Sequence, residues 1–458
     1  VSQSPDQPKL TRGLIASYGL GELGTAIFIH APNLLWLFFL TEIVGLDPIT
    51  AGLVILAPMA WDAVTDPVFG VLADKTRTRW GKYVPYLALA TPFCGLSFVL
   101  FFADPGLAGS MAAWAALGSA VLFRTLLTLV IVPHNALLAR ATQDSRVRSV
   151  LAGSKMFFNA IGMVLIAVAT RPMLAVESGG PTVSFAFVAA IGAVLGTLLI
   201  WQNALFFRRL DASADMPVVG QSFEFSAVAK SLVSNRYLLV LIVAGAVGMM
   251  LLPAFAKSLL YYGRYVVGDE SWGSTALIAF TGATALTIPL WAWAGKTHEK
   301  VNLLRAGHAG LVAGLAAFFL LPAGPVLYAV VALVGASFGG INVMTMALLP
   351  DVVEAGQATS GRRVEAPVFG CFTFALKLGN GLGSGLLGIA LGYVGFVQAS
   401  ANQTTEALLG IERVMTLLPI AGSLIVLLLL KDWDLGHERH RDLACAGRET
   451  TTPKTGGE

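Results

Sequence analysis

Apolar residues in this chain come in long unbroken runs, and each run is close to the roughly 20 residues that a helix needs to cross a bilayer. A first set of runs lies at 14–41, 51–72, 84–102, 112–139, 151–170 and 183–205. A second lies at 238–262, 275–294, 306–321, 326–349, 368–395 and 414–430. The pattern predicts an all-α integral membrane protein with about twelve transmembrane helices. The longest polar interval, 207–236, divides them six and six. The expected organisation is therefore a six-helix bundle over 1–206, a cytoplasmic linker over 207–236, a second six-helix bundle over 237–430, and a polar tail over 431–458 expected to be disordered. A short basic connection follows the second helix of each half, DKTRTRWGK from Asp74 and GKTHEK from Gly295. Such weak internal repetition is what two related bundles produce, and it predicts a solute site near the midplane between them.

Composition agrees with a lipid environment. Only 12% of residues are charged and 56% are hydrophobic, whereas soluble domains average about 25% charged. The net charge of +3 matters less than its placement. Lys9 and Arg12 precede the first run, and further basic clusters occupy alternate connections: Lys75 to Lys82, Arg140 to Arg148, Arg208 and Arg209, Lys296 to Arg305, and Arg362 with Arg363. By the positive-inside rule these connections and both termini are cytoplasmic. The clusters are topology signals, so no nucleic-acid partner is expected. A multi-pass protein of the cytoplasmic (inner) membrane follows, with lipids as its surroundings. Cys94, Cys371 and Cys445 are too few and scattered for a disulfide or metal framework. The first run contains Glu22 and lacks a compact cleavable core, so it is expected to be an anchor. Nothing matches a phosphate-binding Gly-x4-Gly-Lys-Ser/Thr loop, and no nucleophile or zinc motif is present. ATP-driven transport and enzymatic activity are not expected, nor is any cofactor.

The chemistry concentrates in the second run. Asp62 and Asp66 lie one helical turn apart within apolar sequence and so share a helix face with Thr65 nearby. Carboxylates inside a membrane are expensive unless paired, protonated or cation-bound, and two together suit a shared proton or a small hard cation held by oxygen ligands. Na⁺ and H⁺ both meet that requirement. The alternative is a pair neutralised by a nearby lysine. Among cations within runs, Lys155, Lys257 and Lys377 stand out, with Arg124 at an undefined depth. Glu22 is expected to pair with a loop arginine at the interface, and His30, His134 and His308, isolated in sequence, to be ordinary packed or hydrogen-bonded histidines, with His30 and His134 the two that could touch a cavity. Gly379, Gly381, Gly383, Gly385 and Gly388 suit close helix packing.

The block from Trp61, WDAVTDPVFGVLADKTRTRWGKYVPY, resembles the signature of the glycoside-pentoside-hexuronide cation symporters, a family of the major facilitator superfamily. YGLGELG from Tyr18, FLTEIVGL from Phe39, LYYGRYVVG from Leu260, PDVVEAG from Pro350 and FTFALKLG from Phe372 are similar to it as well. The resemblance implies the major facilitator fold, alternating access, and a coupling cation held by Asp62, Thr65, Asp66 and Thr128. It places Asn33, Asn135, Lys155, Asn342, Thr373 and Lys377 at the solute cavity, while Asp74, Arg77, Arg79, Glu354 and Arg363 read as gating charges. Two sugar-binding carboxylates of the family fall on Ala26 and Ile131, so the expected cavity is polar but mostly neutral. The expected function is cation-coupled symport, with sodium or proton, of a small organic solute such as a sugar or glycoside. Helix one is strongly apolar and also resembles the sodium-dependent lysolipid transporters of animals. An amphiphile such as a lysolipid is therefore the alternative solute, and an uncoupled uniporter or exporter the alternative mode.

Overall fold

The computed structural model describes residues 12–141, 145–174, 185–213, 235–322, 324–360 and 365–435. The middle of the expected linker and the tail beyond 435 lie outside the described residues. The first half forms α1 (Arg12–Glu42), α2 (Pro48–Lys75), α3 (Val84–Phe101), α4 (Gly109–Ala141), α5 (Ser145–Leu174) and α6 (Phe185–Ser213). The second forms α7 (Arg236–Leu251), α8 (Ala254–Tyr261), a π-helical turn (Tyr262–Val267), α9 (Glu270–Ala294), α10 (Lys300–Leu320), α11 (Val326–Ser360), α12 (Glu365–Tyr393) and α13 (Thr405–Leu429). Among the described residues, 11 helices are long and apolar enough to cross a membrane, with Arg236–Val267 forming one of them. Helix α2 joins them less plainly, because its apolar part ends at Asp62 and its remaining turns carry Asp66, Asp74 and Lys75. The chain is a multi-pass membrane protein.

Local sequence explains where these helices begin. Asp47 caps α2 by accepting a 2.9 Å hydrogen bond from the Thr50 amide, and Pro48 occupies the first helical position, where no amide donor is needed. Helix α3 takes its cap from far along the chain. Oδ2 of buried Asp211, near the end of α6, accepts from the amides of Tyr83 at 2.7 Å and Val84 at 3.0 Å. Helix α6 thus continues to Ser213, into sequence read as the start of the linker.

The described residues pack as two compact units. One comprises Val1–Val218, Leu259–Thr281 and Gly385–Ile411. Its core includes an aromatic cluster joining α1, α3 and α4, with Phe28 and Phe98 centroids 5.2 Å apart and Phe101 and Phe123 centroids 5.0 Å apart. At the end of α1, Thr41 Oγ1 and Tyr261 Oη lie 2.8 Å apart. The hydroxyl of Tyr265 donates to buried Glu42, and Arg264 bridges Glu42 at 3.5 Å and Glu270 at 3.4 Å.

The other unit comprises Val219–Ser258, Gly282–Ser384 and Glu412–Glu458. Here α12 lies almost backbone to backbone on α7. A Cβ added at Gly383 would run into the main chain of Met250, and one at Gly379 into that of Ala246. Close packing of this kind is how helices associate where lipid removes the hydrophobic drive. Lys300 and Asp351 form an ion pair between α10 and α11, with Nζ 2.6 Å from Oδ2.

Candidate functional site

Helices α2 and α4 meet along one polar seam. Trp61 Nε1 donates to Thr125 Oγ1 at 2.8 Å, Arg124 Nε stands 3.0 Å from Asp62 Oδ2, and Thr128 Oγ1 donates to Asp66 Oδ1 at 2.8 Å. The steps match: Asp62 to Asp66 and Arg124 to Thr128 are each one turn of helix. Two helices with the same chain direction therefore present successive polar residues to each other in register. Three of the four residues expected around a coupling cation belong to this neighbourhood. Thr65 is buried beside them, but its hydroxyl donates to the Trp61 carbonyl of its own helix at 3.1 Å.

Arg124 was not assigned to this seam from the sequence, and the expected alternative neutraliser was a lysine. The guanidinium keeps its charge at any physiological pH and offers several donors in a rigid plane. Beside it, the seam's formal charge with both carboxylates ionised is one negative, not two. A single bound cation then makes it neutral.

Further along α1, α4 and α5 is a second polar group. Glu22 is 3% exposed, with Oε2 3.3 Å from His134 Nε2 and 3.6 Å from Lys155 Nζ. Asn159 Nδ2 donates to Glu22 Oε1 at 3.0 Å, and His30 Nε2 lies 3.1 Å from Asn159 Oδ1. Lys155 also donates to the side-chain oxygen of exposed Asn135. These positions correct one expectation and sharpen another. Among the described residues Glu22 pairs within the bundle, because helix α1 carries it ten residues, roughly 15 Å, beyond Arg12. His134 is packed, as expected, but has polar company: it is 1% exposed, stacks on Tyr18 with centroids 5.2 Å apart, and faces Glu22.

The remaining expected solute residues divide between the two units. Asn33 is half-buried on α1. In the other unit Asn342 is half-buried, donates to the Phe338 carbonyl at 2.9 Å, and lines a narrow cavity with His308, Thr345, Met249 and Leu376. Thr373 and Lys377 are exposed on α12, and the Thr373 hydroxyl donates to the Phe369 carbonyl at 2.8 Å. Of the gating charges, Arg77, Arg79 and Glu354 are exposed. The Asp74 side chain and Arg363 lie outside the described residues.

Residues 17–435 match the family described as MFS/sugar transport protein. The chain belongs to that family, the glycoside-pentoside-hexuronide branch of the major facilitator superfamily. It is a transporter and not an enzyme. The chain is 26% identical to the glucuronide carrier protein homolog of Escherichia coli (strain K12), over 94% of each chain. It is 25% identical to the isoprimeverose transporter of Lactiplantibacillus pentosus, over 91% of this chain and 88% of that one. The sodium-dependent lysophosphatidylcholine symporter 1 of Gallus gallus is 24% identical, over 88% and 83%. In fold it is similar to the nucleoside transporter NupG, with TM-score 0.60 at 12% identity over 91% of this chain and 99% of that one. A bacterial homolog of the lysosomal transporter Spinster aligns with TM-score 0.61 at 14% identity over 98% of both.

Ala26, where the resemblance expects a sugar-binding aspartate, is fully buried against Gly162. Glu22 lies one turn earlier on the same helix.

Proposed function

We propose that this transporter is a cation-coupled secondary symporter of a sugar or glycoside, working by alternating access in the cytoplasmic membrane with both termini inside. The observation that supports this reading best is the seam of α2 and α4. Thr128 is hydrogen-bonded to Asp66 at 2.8 Å while Arg124 balances Asp62 at 3.0 Å, which gathers hard oxygen ligands with one net negative charge against the membrane-spanning α4. Asp66 and Thr128 hold the cation, Na⁺ or H⁺, with Asp62 and Thr65 completing its surroundings. Asn33, Asn135 and Lys155 on one unit and Asn342, Thr373 and Lys377 on the other offer amide, hydroxyl and ammonium groups. Such groups both donate to and accept from the hydroxyls of a sugar. Coupling is then a mutual increase in affinity, since each ligand favours the same conformation.

A second reading has its own support, in the likeness to the chicken lysophosphatidylcholine symporter over 88% of this chain. In that reading the cation site is unchanged and the solute is an amphiphile.

Both are tested in proteoliposomes with imposed sodium or proton gradients, using methyl glucoside, methyl glucuronide, methyl xyloside and lysophosphatidylcholine as probes. Gradient-driven accumulation of a glycoside, lost in Asp66→Asn, is the expected result. Accumulation of lysophosphatidylcholine alone reverses the choice of solute. Uptake that ignores every gradient and is unchanged in Asp66→Asn makes the protein a uniporter.

A further inference from the structure

Three side chains from three helices converge on one point, and their formal charges can be satisfied in two ways. Glu22 of α1 faces both Lys155 of α5 at 3.6 Å and His134 of α4 at 3.3 Å. With a neutral imidazole, carboxylate and ammonium balance each other. With an imidazolium, Glu22 has a second cationic partner, and that partner is fixed while the other is not. His134 is 1% exposed and held by its stack on Tyr18, at 5.2 Å with an interplanar angle of 5°. The Lys155 side chain is 31% exposed and already donates to exposed Asn135.

The surroundings of His134 are independent evidence that this point handles a mobile ligand. Both ring nitrogens of His134 are buried without a hydrogen-bond partner, Nε2 only standing 3.3 Å from Glu22, and so are Tyr18 Oη, Ser17 Oγ and Asn203 Oδ1. They cluster: Tyr18 stacks on His134, and Asn203 Nδ2 donates to the Ser17 carbonyl at 3.0 Å. The missing side chain of Gly21 lets two of these residues come close. A Cβ there would stand 2.7 Å from Asn203 Cγ and 2.9 Å from His134 Cε1. Buried polar atoms are nearly always satisfied, so five together mark a path for small hydrogen-bonding species.

We propose that Glu22 and His134 form a proton-binding site, separate from the α2 carboxylates, whose occupation hands Glu22 from Lys155 to the imidazole. A hydronium ion from the aqueous side gives up its proton, breaking one O–H bond and leaving water, and the proton adds to the one ring nitrogen that lacks it, whichever tautomer is present, so that both nitrogens become donors. No bond other than these two changes. The added charge repels Lys155, which turns fully to Asn135 and the exposed side, where it meets a carboxylate, a sulfonate or a sugar hydroxyl. The other groups facing the site are few among the described residues. They are Tyr18 and His30 on α1 and the amides of Asn159, Gln202 and Asn203 on α5 and α6. Neither Tyr18 nor the amides compete for the proton near neutral pH, and His30 is separated from Glu22 by Asn159. This site goes beyond the α2 cation reading and stands or falls without it.

The test uses the full chain, labelled with ¹⁵N-histidine and placed in lipid nanodiscs, with the proton as the only ligand. The His134 resonance is identified by its loss in His134→Gln and followed from pH 5 to pH 9. The second ring proton should appear within this range in the unmodified chain, fail to appear in Glu22→Gln, where the anion that receives it is lost, and persist in Lys155→Met, where the rival cation is lost. The contrast between the two variants is the signature, since a residue that only fills space distinguishes neither. A ring that never takes its second proton across this range in the unmodified chain overturns the proposal. So does a second proton that Lys155→Met abolishes or that Glu22→Gln leaves in place. Asp66→Asn should leave the curve where it was.

Discussion

Arg124 Nε lies 3.0 Å from Asp62 Oδ2, so a permanently charged residue of α4 sits against the first of the two α2 carboxylates. Both side chains are partly exposed, at 26% and 19%, which places the pair between a surface bridge and a buried one. Removing either charge should lower unfolding stability by about 1.5–3 kcal/mol, the range for hydrogen bonds to charged groups. Removing both should cost less than the sum. Thermal unfolding of Asp62→Asn, Arg124→Gln and the double variant measures this coupling, expected at about 0.5–3 kcal/mol. Strict additivity would mean that the two residues are neighbours without being partners.

Thr128 and Asp66 make a different kind of contact. Replacing Thr128 with Val keeps shape and burial but removes the hydroxyl that donates 2.8 Å to Asp66 Oδ1. If that hydroxyl also helps hold the cation, half-saturation of transport should need roughly tenfold more cation, from about 1.5 kcal/mol of lost interaction. The maximal rate should change less. An unchanged cation requirement in uptake assays would remove Thr128 from the site.

Gly383 and Gly282 provide a matched pair. A Cβ at Gly383 would enter the Met250 main chain, whereas one at Gly282 meets nothing within 4 Å. Gly383→Ala should force α7 and α12 apart and lower the melting temperature and yield of folded protein, while Gly282→Ala should be near neutral. Size-exclusion profiles and melting curves in detergent compare the two directly.

Asp211 ties the end of α6 to the start of α3 through the Tyr83 and Val84 amides. Asp211→Ala leaves two buried donors without their acceptor and should destabilise by about 2 kcal/mol. The cation dependence of transport should be untouched, because neither α3 nor α6 contributes to the seam. A large change in that dependence with little loss of stability would contradict a capping role.

Much of the fold was legible because lipid demands long apolar helices with internally satisfied backbones, and such runs are plain in sequence. Helix α2 was legible for the opposite reason, since Asp62 and Asp66 violate that demand. Thr128 was placed with them by the resemblance, whereas Arg124 was not read as a partner. Both lie about sixty residues away, and the parallel register of α2 and α4 brings them to the carboxylates. Glu22 was misassigned because its depth depends on where α1 begins, and one acid in an apolar run does not say which side chains surround it. His134 seemed isolated in sequence because its neighbours Tyr18, Glu22 and Asn203 come from α1 and α6. The signal was present only as three polar residues, Glu22, His134 and Lys155, each in a separate apolar run.

The π-helical turn at Tyr262–Val267 closes its span and sets the positions of the side chains at that end. Tyr261 and Tyr265 both pack their rings on Phe396, with centroids 5.4 and 5.2 Å away, while their hydroxyls reach Thr41 and Glu42. A wide turn holds one residue more than an α-helical turn does. Deleting Gly263 would remove that extra residue and let the turn close into regular α-helix, with the helix before it unchanged. Arg264 and Tyr265 would each be drawn back by one position and lose their register with Glu42, with no change in their identity. A one-residue deletion here would act on the end of the span alone, and no point substitution in the same turn would reproduce it.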